Sequence, residues 1–426
     1  MHRAMRADSG ETANAASQDV RGPVHHPQEA MRRRHSAAVL DVLRSSGVAS
    51  HQAISTRTGL SQATVSRILG QLRTAGMIEA AAPIGASGRG RPPSLVRLAP
   101  QGRFAVGIEL EDTRCIAALT DLHARLLQRT VTRPRYDTPE ALTDTIVHAY
   151  HRVLEGAEST VRERVYAIGV GVPGVVDTDA GVLRLAPGLG AGLRDVPLAV
   201  RLRERLGLPV AIANRSKAAA VGEHLYGAGR GCDHLLYVWI GFGIAAGLVL
   251  GGAPYFGAGG SAGELGHVVV VPDGPPCACG GRGCLQAVAA GPAIARRARE
   301  RLRAGEPSML AERFGAAVDL VDSDAVVSAA ADGDWMARGV LEEAGAYLGR
   351  GLAAAVNLLN PARIILGGPV GQPAAPFLAD ALMRALRIEA LSVPLAELRV
   401  VAGTLGEDAG AIGAAALGVR WEHALA

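Results

Sequence analysis

The chain has 426 residues, 49% of them hydrophobic, which is enough for two or three domains that each have a core. Glycine and proline interrupt the apolar runs before they reach the roughly 18 residues of a membrane span, and the polar start lacks the apolar core of a secretion signal. We therefore expect a cytoplasmic protein with no membrane partner. Residues 1–30 are predicted to form a disordered tail.

Positive charge is concentrated at the front of the chain. Residues 1–100 carry 13 arginines against 6 acidic residues, whereas the remainder is slightly acidic. Because a locally basic segment is the usual footprint of a polyanion site, this part of the chain is predicted to meet nucleic acid.

Residues 31–99 have the element order of a winged helix-turn-helix domain. The stretch "HSAAVLDVLRS" (35–45) predicts an amphipathic helix, and a second helix is expected after Ser50. Gly59 then provides a turn before Ser61, which caps a third helix with inward side chains at Val65, Ile68, Leu69 and Leu72. The first turns of this helix would enter the major groove of a double-stranded DNA operator. The predicted contacts are Ser61, Gln62, Thr64, Ser66 and Arg67.

Two short apolar strands, "MIEAA" and "SLVRLAP", flank the loop "PIGASGRGRPP" and predict a wing. Arg89 and Arg91 stand between glycines at its tip, where a thin cationic loop suits the narrow minor groove of A·T-rich DNA. The alternative is a helical protein-interaction module followed by a solvated linker.

Residues 100–426 change to alternating strands and helices, which predicts an α/β domain. One set of strands runs from "RFAVGIEL" to "PVAIAN", and a second runs from "HLLYVWIGFGIAAGLVLGG" to "RIILGG". Two sets of strands imply two lobes with a cleft between them.

A loop at residues 264–286 has the composition of a metal site. Its candidate ligands, His267, Cys277, Cys279 and Cys284, are three thiols and one imidazole, a set that suits tetrahedral zinc. The alternatives are a disulfide, which a reducing compartment disfavours, and unliganded buried thiols, which a Pro- and Gly-rich loop does not suit. With four ligands there is no place for a catalytic water, so one structural zinc per chain is predicted.

Five motifs together resemble the ROK family of bacterial sugar kinases and sugar-responsive repressors: "VGVPGVVD", "GELGH", "CACGGRGCLQ", "NPARIILGG" and "LGEDAGAIGAAALG". The resemblance covers residues 104–421 and implies an actin-like, two-lobed, sugar-sensing domain, while the winged helix matches the repressor branch. It implies that Glu264 and His267 contact sugar hydroxyls. The other candidate ligand-binding residues are Gly174, Asn214, Arg215 and Gln286.

The chain departs from the family's kinases at two places, so no enzyme activity and no catalytic residue is predicted. The kinases carry a phosphate-cradling Asp-x-Gly-x-Thr turn, whereas here Glu111 and Asp112 stand where close-approaching glycines belong. Asn214 is kept, but Arg215 occupies the position of the catalytic aspartate, and a guanidinium cannot act as a base near neutral pH.

A third departure is Gln286, which replaces a sugar-binding glutamate of the family. Together with Arg215 it changes the local charge of the pocket by about +3 by formal counting, which favours an anionic ligand such as a phosphorylated or carboxylated sugar. The alternative is a relaxed pocket in which Arg215 turns to solvent or pairs with Glu264.

The sequence thus predicts a DNA-binding repressor controlled by a carbohydrate effector. Because helix-turn-helix proteins bind paired half-sites, we expect a homodimer, or a tetramer built on it. One alternative is a ROK sugar kinase with a DNA-binding arm, which the intact Asn214, Glu264 and His267 favour. Another is a DNA-binding protein whose second domain serves only dimerisation.

Overall fold

The computed structural model describes residues 27–81, 94–186, 188–190 and 192–422. Most of the predicted tail lies outside these ranges, and the first helix begins at Pro27, inside the predicted tail and ahead of the sequence-based estimate. Within the described ranges no helix combines the length and the apolar character that crossing a membrane requires.

An N-terminal unit (residues 27–98) contains three helices and a three-stranded antiparallel sheet. These elements are α1 (Pro27–Ser46), β1 (Val48–Ser50), α2 (His51–Thr58), α3 (Gln62–Thr74), β2 (Ile78–Ala81) and β3 (Leu95–Leu98). The predicted caps form, because Ser50 accepts the Ala53 N–H at 3.1 Å and Ser61 accepts the Thr64 N–H at 3.2 Å. All four predicted inward side chains of α3 are buried. Strand β1 was not predicted, and it pairs with β3 in the sheet order β1-β3-β2.

The first lobe is built on a five-stranded sheet in the order β11-β7-β4-β5-β6. A separate small antiparallel sheet, β10-β9-β8, contacts it through β8 and β11. The strands are β4 (Phe104–Leu110), β5 (Cys115–Asp121), β6 (Leu126–Thr132), β7 (Val165–Val172), β8 (Val175–Asp177), β9 (Val182–Leu185), β10 (Arg194–Val196) and β11 (Val210–Asn214). The helices are α4 (Pro139–Leu154), α5 (Ser159–Arg162), α6 (Leu198–Leu206) and α7 (Arg215–Tyr226).

The second lobe has a five-stranded sheet in the order β14-β13-β12-β15-β16 and a helical layer that contributes the largest hydrophobic core. Its strands are β12 (Leu235–Ile240), β13 (Ile244–Leu250), β14 (Ala253–Tyr255), β15 (Arg363–Gly367) and β16 (Arg399–Ala402). Its helices are α8 (Leu285–Ala289), α9 (Gly291–Arg303), α10 (Met309–Phe314), α11 (Ser323–Ala331), α12 (Trp335–Leu359), α13 (Gly368–Glu389) and α14 (Ser392–Leu395).

The last helix, α15 (Ala409–Glu422), leaves the second lobe and packs on the sheet of the first. Glycines in the strands permit this close approach, since a Cβ at Gly107 would lie 1.8 Å from the carbonyl oxygen of Ala411. Further along, Ala415 and Val419 of α15 share one hydrophobic core with α1 and α3. The predicted fold class, a two-lobed α/β domain preceded by an α+β unit, is confirmed.

Candidate functional site

The structure brings the four predicted metal ligands together. His267 ends a short 3-10 turn, the cysteines follow in a loop, and the ligand atoms all lie within 4.8 Å of one another. The Sγ atoms of Cys279 and Cys284 are 3.7 Å apart, and the Nδ1 of His267 is 3.9 Å from the Sγ of Cys277. Tetrahedral zinc with bonds of about 2.3 Å to sulfur separates its sulfur ligands by roughly 3.8 Å. The cluster therefore fits an ion of this size and geometry.

The thiols of this cluster differ in their acidity. Burial alone would raise the pKa of Cys277, but hydrogen bonds from Cys279 and Gln286 lower it to about 6. Burial and the neighbouring sulfurs raise the pKa of Cys284 to about 12. Because neighbouring thiolates repel one another, all three ionise together only when a cation lies among them.

Glu264 and His267 lie near the start of residues 264–286, the segment named the metal loop, and both are exposed. The Nδ1 atom of His267 faces the sulfurs, so Nε2 remains for a ligand. A metal bond to one imidazole nitrogen fixes the direction in which the other points.

Asn214 and Gly174 meet at the start of α7. The side chain of Asn214 caps the helix by accepting the Ser216 N–H at 2.9 Å, and its Nδ2 donates to the carbonyl oxygen of Gly174 at 2.8 Å. Gly174 has a φ of +98°, and a Cβ there would lie 2.2 Å from the carbonyl oxygen of Leu185, so only glycine fits. Two of the predicted ligand-binding residues are thus in direct contact.

Arg215 is buried between the lobes rather than turned to solvent. Its Cζ lies 3.7 Å from the ring centroid of Trp239 on β12, a cation–π contact, and no ion pair joins it to Glu264. Its Nη1 has no hydrogen-bond partner among the described residues. The two arrangements expected for a relaxed pocket, Arg215 turned to solvent or paired with Glu264, are therefore wrong. The sequence did not indicate that Trp239 contacts Arg215.

Lys217 is a second buried cation on α7 that sequence analysis missed. Its Nζ donates to the carbonyl oxygen of Gly260 and thereby ties α7 to the loop that leads to Glu264. Burial lowers the pKa of Lys217, and the negative charge of Glu264 opposes this shift. Lys217 is the only lysine in a chain with 44 basic residues. This exception to the use of arginine was the one sequence feature that could have drawn attention to it.

The turn that corresponds to a kinase phosphate cradle is occupied by ion pairs. Arg114 binds Glu111 at 2.7 Å and Glu407 at 3.0 Å, while Arg129 binds Glu407 at 3.0 Å and Asp408 at 2.5 Å. These pairs join the β4–β5 hairpin and β6 to the segment that precedes α15.

Beside these ion pairs lies a cavity of about 240 Å³, lined by the carboxylates of Glu109, Glu111 and Glu407 together with Arg114 and Trp239. Burial and the charge of Glu111 raise the pKa of Glu109 to about 8, against the opposing influence of Arg215 and Arg114. Glu111 and Glu407 bring negative charge to this cavity, which opposes the binding of a phosphate there.

The predicted DNA contacts on α3 lie on its outer side. Ser61, Gln62, Ser66 and Arg67 are exposed, and Thr64 is half-buried with its hydroxyl 2.9 Å from that of Ser61. Arg89 and Arg91, the predicted tip of the wing, lie outside the described residues.

Comparison with known proteins assigns the family. The sequence profile described as "ROK family" matches residues 105–420, well over half of the chain. The chain belongs to the ROK family.

Both branches of the family occur among its relatives. A glucokinase of Halalkalibacterium halodurans is 33% identical over 76% of this chain and 97% of its own length. The N-acetylglucosamine repressor of Escherichia coli O157:H7 is 30% identical over 90% of this chain and 91% of its own.

Solved structures of ROK proteins divide in the same way. A ROK family transcriptional regulator, described as a homologue of the Escherichia coli MLC protein, has 28% identity and a TM-score of 0.79 over 93% of this chain and 98% of its own. A ROK glucokinase from Streptomyces griseus, in complex with glucose and AMPPNP, has 31% identity and a TM-score of 0.67 over 74% of this chain and 99% of its own. The two regulators align with 90% or more of this chain. Residues from 105 onward make up a smaller share than that, so these alignments also include the N-terminal unit.

Proposed function

We propose that the protein is a DNA-binding transcriptional repressor controlled by a carbohydrate or a sugar derivative. The observation that carries this proposal is the N-terminal unit, whose outer α3 face is exposed while its inner face shares a core with the C-terminal helix of a ROK domain. A regulator needs both features, since the outer face must reach a double-stranded DNA operator and the inner face must respond to the sensor.

The proposed effector site lies in the cleft at the start of α7. Gly174 and Asn214 form one side of it, and Glu264 and His267 supply a carboxylate and an imidazole from the second lobe. Such planar groups, held by a metal loop and a helix cap, suit the vicinal hydroxyls of a pyranose. Because the groups belong to different lobes, a bound sugar favours whichever lobe arrangement it fits better.

The buried cations indicate which sugars the site prefers. Arg215 carries an unpaired Nη1, whereas Lys217, two residues further along α7, donates to the carbonyl oxygen of Gly260. A buried guanidinium with an unsatisfied N–H gains most from an anionic partner. We therefore infer that the effector carries a phosphate or carboxylate group.

The His267, Cys277, Cys279 and Cys284 cluster is proposed to hold one structural zinc per chain. The ion would tie the metal loop to the 3-10 turn and balance the charge of three thiolates. The chain's own contribution to sensing is then the fixed direction of His267 Nε2 and the position of Glu264 three residues earlier.

A ROK sugar kinase with a DNA-binding arm is the second candidate. The glucokinase relatives and the retained Asn214, Glu264 and His267 favour it. Arg215 at the position of the base opposes it, because a guanidinium cannot accept the proton. Glu111 and Asp112 at the phosphate turn also oppose it, because they stand where close-approaching glycines belong and would repel phosphate. A further possibility, a ROK domain that serves only dimerisation, predicts no effector binding at all.

One experiment separates these functions. Purified protein is titrated with glucose, N-acetylglucosamine and their 6-phosphates, while binding to labelled DNA from its own promoter is measured by fluorescence anisotropy. We expect specific DNA binding by a homodimer or tetramer, loss of that binding with one of these sugars, and no ADP when ATP and glucose are supplied. ADP formed in proportion to the sugar consumed would favour the kinase, and DNA binding without any response to the four sugars would contradict the sugar-sensing proposal.

A further inference from the structure

Gln286 lies in the first turn of α8, two residues after the metal ligand Cys284, and its side chain turns back toward the metal loop. Its Nε2 donates to the Sγ of Cys277 at 3.2 Å. Its Oε1 faces the other way, where a Cβ at Gly266 would lie only 2.9 Å from it and a Cβ at Gly243 3.2 Å. The amide therefore fills the space between a metal-binding sulfur and the backbone beside His267.

The chemistry of this position favours an amide. An N–H donated to a thiolate withdraws charge from the sulfur and restrains its direction, as a charge-assisted hydrogen bond does. The glutamate that the family carries here as a sugar-binding residue has no N–H to donate, and its carboxylate is repelled from the thiolate. A side chain of this length with one donor and no charge meets both conditions.

We propose that Gln286 is a positioning residue of the metal site. It donates to the metal-bound thiolate of Cys277 and, by contact with Gly266, fixes the turn that carries His267. In this role Gln286 does not contact the effector, which revises its sequence-based assignment to the ligand pocket. The inference rests on the proposed zinc site.

Two substitutions test the hydrogen bond. Gln286→Met removes the N–H donor while keeping a side chain of similar length, and Gln286→Glu removes the donor and adds a negative charge. Gln128→Glu is the matched control, because Gln128 lies on β6 of the first lobe, outside the metal loop. The proteins are loaded with cobalt, and the sulfur-to-metal charge-transfer band is recorded. Since a sulfur that loses its N–H donor is more electron-rich, both Gln286 variants are expected to shift the band to lower energy, whereas the control does not.

Zinc transfer to the chelator 4-(2-pyridylazo)resorcinol gives a second readout. We expect both Gln286 variants to release zinc about tenfold faster than wild type. This is the lower end of the loss of metal affinity that follows removal of a group hydrogen-bonded to a metal ligand. Urea unfolding of the metal-free proteins distinguishes a metal effect from a folding effect, and equal midpoints are expected.

The outcomes separate this inference from the zinc proposal on which it rests. A wild-type cobalt spectrum and zinc-release rate in Gln286→Met, at equal metal loading, would overturn the role of Gln286 and leave the zinc site intact. A wild-type protein that retains neither zinc nor cobalt after loading would overturn both. A lower urea midpoint of the metal-free Gln286→Met would assign the side chain to packing and also overturn the proposal.

Discussion

Arg420, near the end of α15, donates to Asp41 of α1 at 2.9 Å, and this buried ion pair joins the ROK domain to the N-terminal unit. Arg44 approaches the same carboxylate at 3.4 Å. One nitrogen of each arginine has no partner among the described residues, so Asp41 is the main counter-charge of both. Helix α15 begins beside the cleft and packs along α7, whose N-cap is Asn214, and both helices contact α1. They therefore connect the proposed effector site with α1.

Loss of the Asp41 carboxylate is therefore expected to loosen the N-terminal unit. Asp41→Asn should cost about 2 kcal/mol of local stability, because it leaves two nearly buried arginines without their charge partner. Hydrogen exchange of the α1 amides should then be roughly 30-fold faster. The matched control is Glu79→Gln, which removes an exposed ion pair with Arg97 and should change exchange by less than about fivefold. Equal effects of the two substitutions would contradict this account.

Metal removal tests the predicted zinc site. Cys279→Ser should abolish stoichiometric zinc and lower the thermal midpoint of the second lobe, because one soft ligand is lost from a four-ligand site. Cys232→Ser changes a buried cysteine outside the cluster and should keep its zinc. The metal content of both variants is measured by atomic emission after dialysis. Full stability of a metal-free wild type would contradict a structural role for the ion.

The features predicted correctly from the sequence depend on local pattern. The caps at Ser50 and Ser61 and the apolar face of α3 follow from residues a few positions apart, and the structure reproduces them. The cluster of His267 and three cysteines was found for the same reason, since all four residues stand within one short segment.

Features that depend on distant contacts were missed. Helix α13 contains Pro373 and Pro376, which sequence rules place outside helices, yet its buried face packs on α12 and offsets the lost hydrogen bonds. The stacking of Arg215 on Trp239 joins α7 to β12. Arg114 and Glu407, which form an ion pair, stand near opposite ends of the ROK domain in the sequence. No spacing in the sequence brings these partners together, so only the folded chain shows them.

The raised pKa of Glu109 makes stability depend on pH. Because burial raises its folded pKa to about 8 from an ordinary 4.5, the native state retains a proton that the unfolded chain releases. This residue therefore makes no difference below about pH 4.5 and destabilises the fold increasingly as pH rises to 8. Glu109→Gln should be more stable than wild type by an amount that grows from pH 5 to pH 8, reaching a few kcal/mol. Urea unfolding measures it, with the exposed Glu155→Gln as the control. A constant difference across this range would contradict the raised pKa.

Operator binding should depend on α3 and on the predicted wing in different ways. Gln62→Ala should weaken binding by about 1 to 3 kcal/mol and relax the preference for one base pair in the major groove. Arg91→Ala should weaken binding most where the operator is A·T-rich. Fluorescence anisotropy with a set of single-base operator variants measures both, and Gln128→Ala is the control. Unchanged affinity in both variants would place the DNA contact elsewhere on the protein.

The charge of the effector is tested at Arg215. If its unpaired N–H faces the ligand, wild type should bind glucose 6-phosphate or glucuronate about ten- to a hundredfold more tightly than glucose, which corresponds to a charged hydrogen bond of about 1.5 to 3 kcal/mol. Arg215→Gln should remove this preference, and Arg215→Asp should reverse it toward the neutral sugar because a carboxylate repels the anion. Neither variant should phosphorylate glucose, since Glu111 and Asp112 still stand where the phosphate turn of a kinase has glycines. Calorimetric titration with the matched sugars measures the preference, and Arg194→Asp, an exposed charge reversal on β10, is the control. Equal affinity of wild type for the neutral and anionic members of each pair would contradict this role. The Arg215 guanidinium, stacked on Trp239, would then serve packing between the lobes and would not recognise the effector.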